Sequence, residues 1–212
     1  MAGEIYLNNK DVANKVNGST LTQRTEGMPG TYHLAQNPQY YEPSRSNNFM
    51  FYISGLTELL KDDIIHGYAK EHSEEVLKLS VNSSFVPHFT MNAIEIKRGN
   101  NTMKFAGTPT YSNGQLKVDD FIGAGTKDVL LAWQNRAYNV RTEKVGLASD
   151  YKIDGNLVEY TPDWQVVRTW KICGCWISGI SEDDFGHESN DKRQITATVE
   201  YDKAYLDTSD LL

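Results

Sequence analysis

An alternating strand pattern near the end of the chain places the strongest constraint on the fold. Ile195, Ala197, Val199 and Tyr201 occupy every second position, with polar residues between them. Successive side chains of a strand point to opposite faces, so this segment predicts a sheet with one apolar and one polar face. Residues 170–180 form a second strand pattern before it. An antiparallel sheet of this kind buries its apolar face and presents the other to water or to a partner.

Three turn signals indicate further antiparallel hairpins. Residues 99–101, Asn113-Gly114 and Asp154-Gly155 each separate two strand-like runs. Asn-Gly and Asp-Gly pairs readily supply the positive φ angles that tight hairpin turns require. Twelve Tyr, seven Phe and four Trp also favour sheets over helices. The chain is therefore predicted to be mainly β, with antiparallel strands.

One amphipathic helix interrupts the strands near residues 126–138. Thr126 is the expected N-cap, and Asp128 suits the positive end of the helix dipole in the first turn. Apolar residues recur there at helical spacing and predict the face that packs on the sheet. These core-facing residues are Val129, Leu130, Trp133 and Ala137.

The chain divides by composition into a polar arm, residues 1–47, and a β-rich domain, residues 48–212. The arm is rich in Asn, Gln, Gly, Ser and Thr and holds too little apolar area to order itself alone. Within the β-rich domain, residues 57–79 read as a helical or loop-like insertion. The arm is expected to be either disordered or laid across a neighbour, and its tyrosines would be the anchors if it docks.

Several classes of function are disfavoured. A net charge of −7 argues against general nucleic-acid binding, which requires a basic surface. No apolar run approaches the roughly 18 to 20 residues of a membrane helix, so we expect no membrane partner. The N-terminus lacks the features of a signal peptide, which predicts synthesis in a reducing cytoplasm. No hydrolase, metalloprotease or redox-dithiol motif occurs, so we expect no enzyme activity, no cofactor and no metal.

The cysteines and tryptophans are expected to pack rather than react. Cys173 and Cys175 lie two apart on one predicted strand, where a disulfide between them would be strained. They are interpreted as small, half-buried apolar side chains. Trp164, Trp170 and Trp176 would share one face if the alternation continued, and they are interpreted as part of the sheet core.

The order of these elements resembles the tail tube proteins of contractile-tailed bacteriophages over roughly residues 47–205. The segments that carry the resemblance are the opening strand 48–56, the Pro-containing passage 83–87, the helix 126–133, the hairpin 151–160, the Trp- and Gly-containing strand 170–180 and the closing strand 195–201. Each segment alone is a weak signal, and their joint order carries the comparison.

The resemblance implies an antiparallel β-sandwich or half-barrel with one flanking α-helix, whose sheets join between subunits into a large ring barrel. Six subunits would form a ring, and the rings would stack into a hollow tube inside a contractile sheath. The implied partners are further copies of the chain, the tail sheath protein, the baseplate and tail-terminator proteins, and the tape measure protein and transiting DNA in the lumen. The implied location is the virion tail, after synthesis in the cytoplasm of the bacterial host.

This assembly would give specific residues specific places. A conduit should repel phosphate and should not bind it, so polar sheet faces are the expected lumen. The candidate lumen-facing residues are Glu95, Asp119, Thr196, Thr198 and Glu200. The candidate contacts between rings, from the arm and the insertion, are Tyr32, Tyr40, Tyr41, Leu59, Asp62 and Asp63.

Two groups of alternatives remain open. The chain could be another member of the same superfamily, such as a ring-forming secretion-system tube, a baseplate hub or a tail-terminator protein. From a different class, it could be a monomeric carbohydrate-binding β-sandwich whose row of aromatic residues forms a platform for sugars.

Overall fold

A computed structural model describes residues 43–63, 65, 67–184 and 191–207 of the chain. The chain divides into residues 1–45 and 46–212, and every described helix and strand belongs to the second unit. The strands are β1 (Phe49–Ile53), β2 (Val81–Ser83), β3 (Phe89–Arg98), β4 (Asn101–Tyr111), β5 (Gly114–Asp119), β6 (Tyr138–Asn139), β7 (Lys144–Val145), β8 (Ile153–Tyr160), β9 (Val166–Glu182), β10 (Gln194–Glu200) and β11 (Lys203–Asp207). The helices are α1 (Leu56–Leu60), α2 (Ala69–Ser80), α3 (Thr126–Ala137) and α4 (Ala148–Tyr151).

Seven strands form one antiparallel sheet that is nearly closed into a barrel. The order is β1-β8-β9-β10-β5-β2, and β11 also pairs with β9. The first part of β9 lies between β8 and β11, and its second part pairs with β10. The predicted mainly β, antiparallel fold is thereby confirmed. Of the three predicted hairpins, only the one with its turn at residues 99–101 forms, as β3–β4. The other two predictions are wrong, because β4 and β5 on either side of Asn113-Gly114 pair with different strands, and Asp154-Gly155 lies inside β8. Two helices, α1 and α2, lie at the segment read as a helical or loop-like insertion, and α2 equals α3 in length.

A single apolar core lies between the sheet and the helices. The alternation of β10 is as predicted, because Ile195, Ala197 and Val199 are fully buried. Helix α3 contributes Val129, Leu130, Trp133 and Ala137, all of them buried. Full burial of each large aliphatic or aromatic side chain is worth about 1.5 to 3 kcal/mol, so this helix face holds the helix on the sheet.

The start of α3 differs from the prediction that Thr126 caps it. Gly125 occupies the N-cap position with a left-handed backbone, φ 69°, and no side chain caps the helix. Thr126 is the first helical residue and is fully buried, with its hydroxyl 2.8 Å from the Ser80 hydroxyl at the end of α2. A buried hydroxyl requires a hydrogen-bond partner, and here Ser80 is that partner in place of the helix backbone.

A bend in β9 at Gly174 interrupts the predicted alternation. Ile172 is buried before the bend, whereas Cys175 and Ile177 are buried after it, so the inward face changes from even to odd positions. Gly174 has φ 70°, its N–H donates to the Asp154 carboxylate at 2.9 Å, and a Cβ there would overlap the Asp202 carboxylate. The chain turns beside it, where the Asp202 N–H donates to the Cys173 carbonyl.

The prediction that the three tryptophans share one face is consequently wrong. Trp164 precedes β9 and is 63% exposed, Trp170 packs partly buried against the core, and Trp176 lies beyond the bend at a half-buried position. A row of three coplanar aromatic platforms for a sugar is therefore not formed. Both cysteines are free thiols, and burial raises the pKa of Cys175 to about 12, which keeps it neutral.

We expect Gly174→Ala to lower the free energy of unfolding by about 1 to 3 kcal/mol, because alanine is strained at a positive φ and its Cβ overlaps Asp202. Urea unfolding followed by near-ultraviolet circular dichroism measures the change. Gly179→Ala in the same strand is the matched control, because a Cβ there meets only the Thr198 hydroxyl at 4.0 Å. Equal stability of the two variants would contradict the role assigned to the bend.

Candidate assembly surface

The hairpin β3–β4 pairs with no other described strand. Every residue of β3 is exposed, as is nearly all of β4. The register places Ile94 opposite Phe105 and Ile96 opposite Met103, so these four side chains share one face of the hairpin. Each of the four is between 44% and 55% exposed. We call this face the apolar hairpin face.

The opposite face of the hairpin is polar. Glu95 lies across from Lys104 with an ion pair of 3.7 Å, and Lys97 lies across from Thr102. An isolated two-stranded hairpin is marginally stable in water, and it needs packing against another element to hold one conformation. The apolar hairpin face has no such element within the described chain, and contiguous exposed apolar surface of this kind marks a protein contact site.

A chain of aromatic rings anchors the hairpin base to the core. The ring of Phe85 lies 6.1 Å from that of Phe51 and 5.7 Å from that of Tyr201, and Tyr201 in turn lies 6.0 Å from Tyr111 at the end of β4. Gly114 permits this arrangement, because a Cβ at that position would overlap the Phe85 ring. These ring contacts join the end of β4 to the core.

The polar residues of β10 lie together on the outward face of the second half of the sheet. Thr196, Thr198 and Glu200 are half-buried and alternate with the core residues. Gln115 and Lys117 of β5 pair with Thr198 and Thr196, and Ser181 of β9 also pairs with Thr196. A surface of hydroxyl and amide groups, with the exposed ammonium group of Lys117 among them, thus extends across three strands. We call this surface the polar sheet face.

Asp119 borders the polar sheet face. Its carboxylate accepts hydrogen bonds from Lys192 and Gln194, each at 2.7 Å. Burial by itself would raise the pKa of Asp119, but these two donors outweigh it and hold the pKa below its ordinary value. Glu95 lies apart from this group, on the hairpin. The structure thus brings four of the five candidate lumen residues together and leaves the fifth on another surface.

The candidate ring-contact residues have different surroundings. Leu59 packs partly buried against the core, and Asp62 is exposed. Asp63 accepts a hydrogen bond from the guanidinium of Arg136 at 2.7 Å, so its charge is compensated within the chain. Tyr32, Tyr40 and Tyr41 lie outside the described residues.

Sequence reasoning located the hairpin but missed its apolar face. The sequence does contain the alternation that marks such a face. Ile94 and Ile96 alternate with charged residues on β3, and Lys104 separates Met103 from Phe105 on β4. Within the described ranges, no group of three or more His, Cys, Asp or Glu side chains could hold a metal. None of the described helices has the length and apolar character to cross a membrane. The features that stand out are surfaces for contact with another protein.

These features define a small antiparallel β protein built for assembly, and the family comparison agrees. Residues 61–204 match the model of the T4-like virus tail tube protein gp19 family. The chain belongs to this family, which confirms the predicted resemblance, and it is a structural tube protein. None of the curated proteins compared with the chain matches it significantly.

Solved structures share the fold at low sequence identity. The tube-terminating cap of the anti-feeding prophage matches with a TM-score of 0.56 at 17% identity. The match covers 78% of this chain and 91% of that chain. A chain of the sheath-tube complex of an extracellular contractile injection system has a TM-score of 0.56 at 18% identity, covering 84% and 98%. A chain of the sheath/tube terminator of such a system has a TM-score of 0.55 at 20% identity, covering 78% and 96%. The matched family consists of tail tube proteins, and the three neighbours share the fold of this chain.

We expect Gly114→Ala to destabilise the hairpin base by about 1 to 3 kcal/mol, because overpacking displaces the Phe85 ring from between Phe51 and Tyr201. Urea unfolding of Gly114→Ala, Phe85→Leu and the double variant forms a double-mutant cycle. The double variant should lose less stability than the sum of the single changes, since the smaller side chain vacates the space that the new methyl enters. Strict additivity would show that Gly114 and Phe85 are not coupled.

Proposed function

We propose that copies of this chain assemble into rings of six, which stack into the hollow tube of a contractile tail inside its sheath. The observation that carries the proposal is the apolar hairpin face, which is exposed in the single chain although it holds Ile94, Ile96, Met103 and Phe105. Packing against a neighbouring copy would bury this face and stabilise the two-stranded hairpin, which is only marginally stable by itself. The role is structural, and no chemical step is required of the chain.

The sheet edges support the same assembly. Strands β1 and β2 end the order of the main sheet, so each has one edge that no described strand covers. Exposed edges invite pairing with another chain unless an assembly uses them. Continuation of the sheet from one subunit to the next would produce the large ring barrel and would consume these edges in a closed ring.

The polar sheet face is the proposed lumen surface. Its hydroxyl and amide side chains offer DNA weak, exchangeable hydrogen bonds. Its charged residues are Lys117 and the acids Asp119 and Glu200, which do not form a basic track. A protein that neutralises several phosphates with Lys and Arg binds DNA tightly, whereas a conduit must release DNA at every position. The transiting DNA and the tape measure protein are the proposed occupants of the lumen, and genome ejection is the proposed use of the tube.

The remaining proposed partners surround the tube or end it. The sheath protein, the baseplate and the tail-terminator proteins would contact its outer surface and its two ends, which places the chain in a virion tail or a related injection apparatus. A terminator ring is a second candidate, supported by the fold shared with a tube-terminating cap and with a sheath/tube terminator. A terminator would form single rings, whereas a tube protein would form stacks of them.

We expect the purified chain to form hollow rings and stacked tubes of constant bore in negative-stain electron microscopy. Ile94→Ser with Phe105→Ser should abolish the tubes because it removes most of the apolar hairpin face, while the melting of the body stays nearly unchanged. Glu95→Gln with Lys104→Gln, on the opposite face of the same hairpin, is the matched control and should still assemble. A monomer at every concentration would contradict the tube and leave a binding module; single rings would select the terminator.

We expect Thr196→Lys with Thr198→Lys to make assembled tubes retain short DNA, because the new charges would line the lumen and bind phosphates. Co-sedimentation of labelled DNA with tubes measures this retention, which should fall steeply as salt rises. Lysines at the exposed positions Thr142 and Ser149 provide a control with the same net charge. If both variants retain DNA equally, the polar sheet face does not line the lumen.

A further inference from the structure

The polar sheet face carries one ammonium group whose charge is not compensated within the described chain. Lys117 lies in the second half of β5, and its side chain is exposed. The flanking residues Leu116 and Val118 are fully buried, so the alternation of the strand directs Lys117 outward. Lys117 makes no ion pair with any residue that the structure describes. The proposed lumen surface of each chain therefore contains an uncompensated positive charge.

The two acids of the polar sheet face lie apart from this charge. Asp119 is two residues further along β5, roughly 7 Å away at the rise of an extended strand, and Lys192 and Gln194 already bind its carboxylate, each at 2.7 Å. Glu200 lies on β10, four residues beyond the position that pairs with Lys117, which separates them by roughly 13 Å. That separation exceeds the Debye length, about 8 Å in physiological salt, so the charge of Glu200 is largely screened from Lys117.

Hydroxyl groups flank Lys117 on both neighbouring strands. Ser83 of β2 and Thr196 of β10 pair with it, and Ser181 of β9 pairs in turn with Thr196. Residues that lie opposite each other on antiparallel strands share a face, so these four side chains form one row across four strands. We call it the hydroxyl–lysine row. Lysine and hydroxyl side chains are groups that contact the phosphate oxygens of nucleic acids.

We propose that the hydroxyl–lysine row is a phosphate-contact site for duplex DNA, in which Lys117 supplies the attraction. Its ammonium group would bind a phosphate oxygen, and the flanking hydroxyl groups would donate hydrogen bonds to the same phosphate or to the next one. The inference rests on the proposed function, because it requires the polar sheet face to line the lumen. It goes further by assigning to the lumen an attractive contact, whereas the net charge of −7 alone predicts repulsion of DNA.

A single cation in each chain keeps this contact weak enough for DNA to pass. The affinity of a protein for DNA rises with the number of phosphates that its cations neutralise. In a ring of identical chains, symmetry places every Lys117 at one height, where a duplex with one charge per roughly 1.7 Å of its axis presents only a few phosphates. Each contact can then exchange as the duplex moves. Additional lysines at Thr196 and Thr198 would multiply the contacts, which is why that variant should retain DNA.

Co-sedimentation of DNA with assembled tubes tests the contact. Unaltered tubes should retain short linear duplex DNA weakly at low salt, and Lys117→Gln should lower the retained fraction on the order of fivefold. The slope of log affinity against log salt should fall by about 0.9 for each phosphate contact that is lost. Lys117→Arg keeps the charge and should retain DNA as the unaltered tubes do. Lys144→Gln, at an exposed position of β7, is the matched control and should leave retention unchanged.

Circular DNA separates contact in the lumen from contact with the outer surface of the tube. A covalently closed duplex circle has no end that could enter an open tube, whereas a linear duplex of the same sequence has two. We therefore expect tubes to retain the linear form and to leave the circle in solution at the same salt concentration.

Amine labelling provides a further measurement that requires no substitution. Acetic anhydride, a reagent small enough to enter the lumen, should acetylate Lys117 in empty tubes, and bound linear DNA should protect it severalfold. Lys144 should react equally with and without DNA, as mass spectrometry of the digested protein would show.

Three results would each overturn the contact: equal retention of DNA by Lys117→Gln tubes and unaltered tubes, equal retention of circular and linear DNA, or acetylation of Lys117 that linear DNA leaves unchanged. Tubes that assemble but retain no linear DNA at low salt would overturn this inference alone. Failure of the unaltered chain to assemble would overturn the proposed function, and this inference with it.

Discussion

The architecture depends on the 17-residue strand β9, which pairs with both halves of the sheet. A straight strand of that length would keep one set of side chains inward throughout. The positive φ of Gly174 resets the inward face, so Ile172 before the bend and Ile177 after it enter the same core. Asp202, at the junction of β10 and β11, takes the place that a side chain at position 174 would occupy, and Lys152 holds its carboxylate at 2.7 Å.

Some apolar surfaces of the fold are covered by other elements, and one is left exposed. The inner face is closed by α1, α2 and α3, and Trp133 also donates its indole N–H to the Tyr151 carbonyl at 2.9 Å. The hairpin β3–β4 receives no such cover, and its apolar face stays in water. Contiguous exposed apolar surface of this kind is typical of protein contact sites.

The charged residues are clustered on particular surfaces, so the net charge of the chain does not describe each surface. The chain carries −7 overall, yet the hairpin tip, residues 95–104, is basic and the segment at the end of β5, residues 119–128, is acidic. Exposed charges separated by more than a Debye length, about 8 Å in physiological salt, are largely screened from each other. The two surfaces therefore act locally, and the net charge of −7 does not describe the polar sheet face.

The sequence by itself determined the class of fold and the type of most elements. The alternation of Ile195, Ala197 and Val199 identifies β10 and its inner face. The helical spacing of Val129 and Trp133 identifies α3. Both patterns can be read from the sequence because the apolar residues recur with the period of the strand or helix whose one face is buried. The turn signal at residues 99–101 likewise identifies the hairpin β3–β4, whereas those at Asn113-Gly114 and Asp154-Gly155 do not mark hairpins. Each of these signals is contained in a short stretch of chain.

Only the tertiary structure decided which surfaces meet. The reset at Gly174 separates Trp170 from Trp176, and the buried Ser80 hydroxyl takes Thr126 away from the helix cap. Both outcomes depend on residues distant in sequence, since Asp202 and Ser80 approach only after the chain has folded. The same reason applies to the hairpin: its pattern shows an apolar face, but the pairing of β3 with β4 and with no other described strand is what leaves that face exposed.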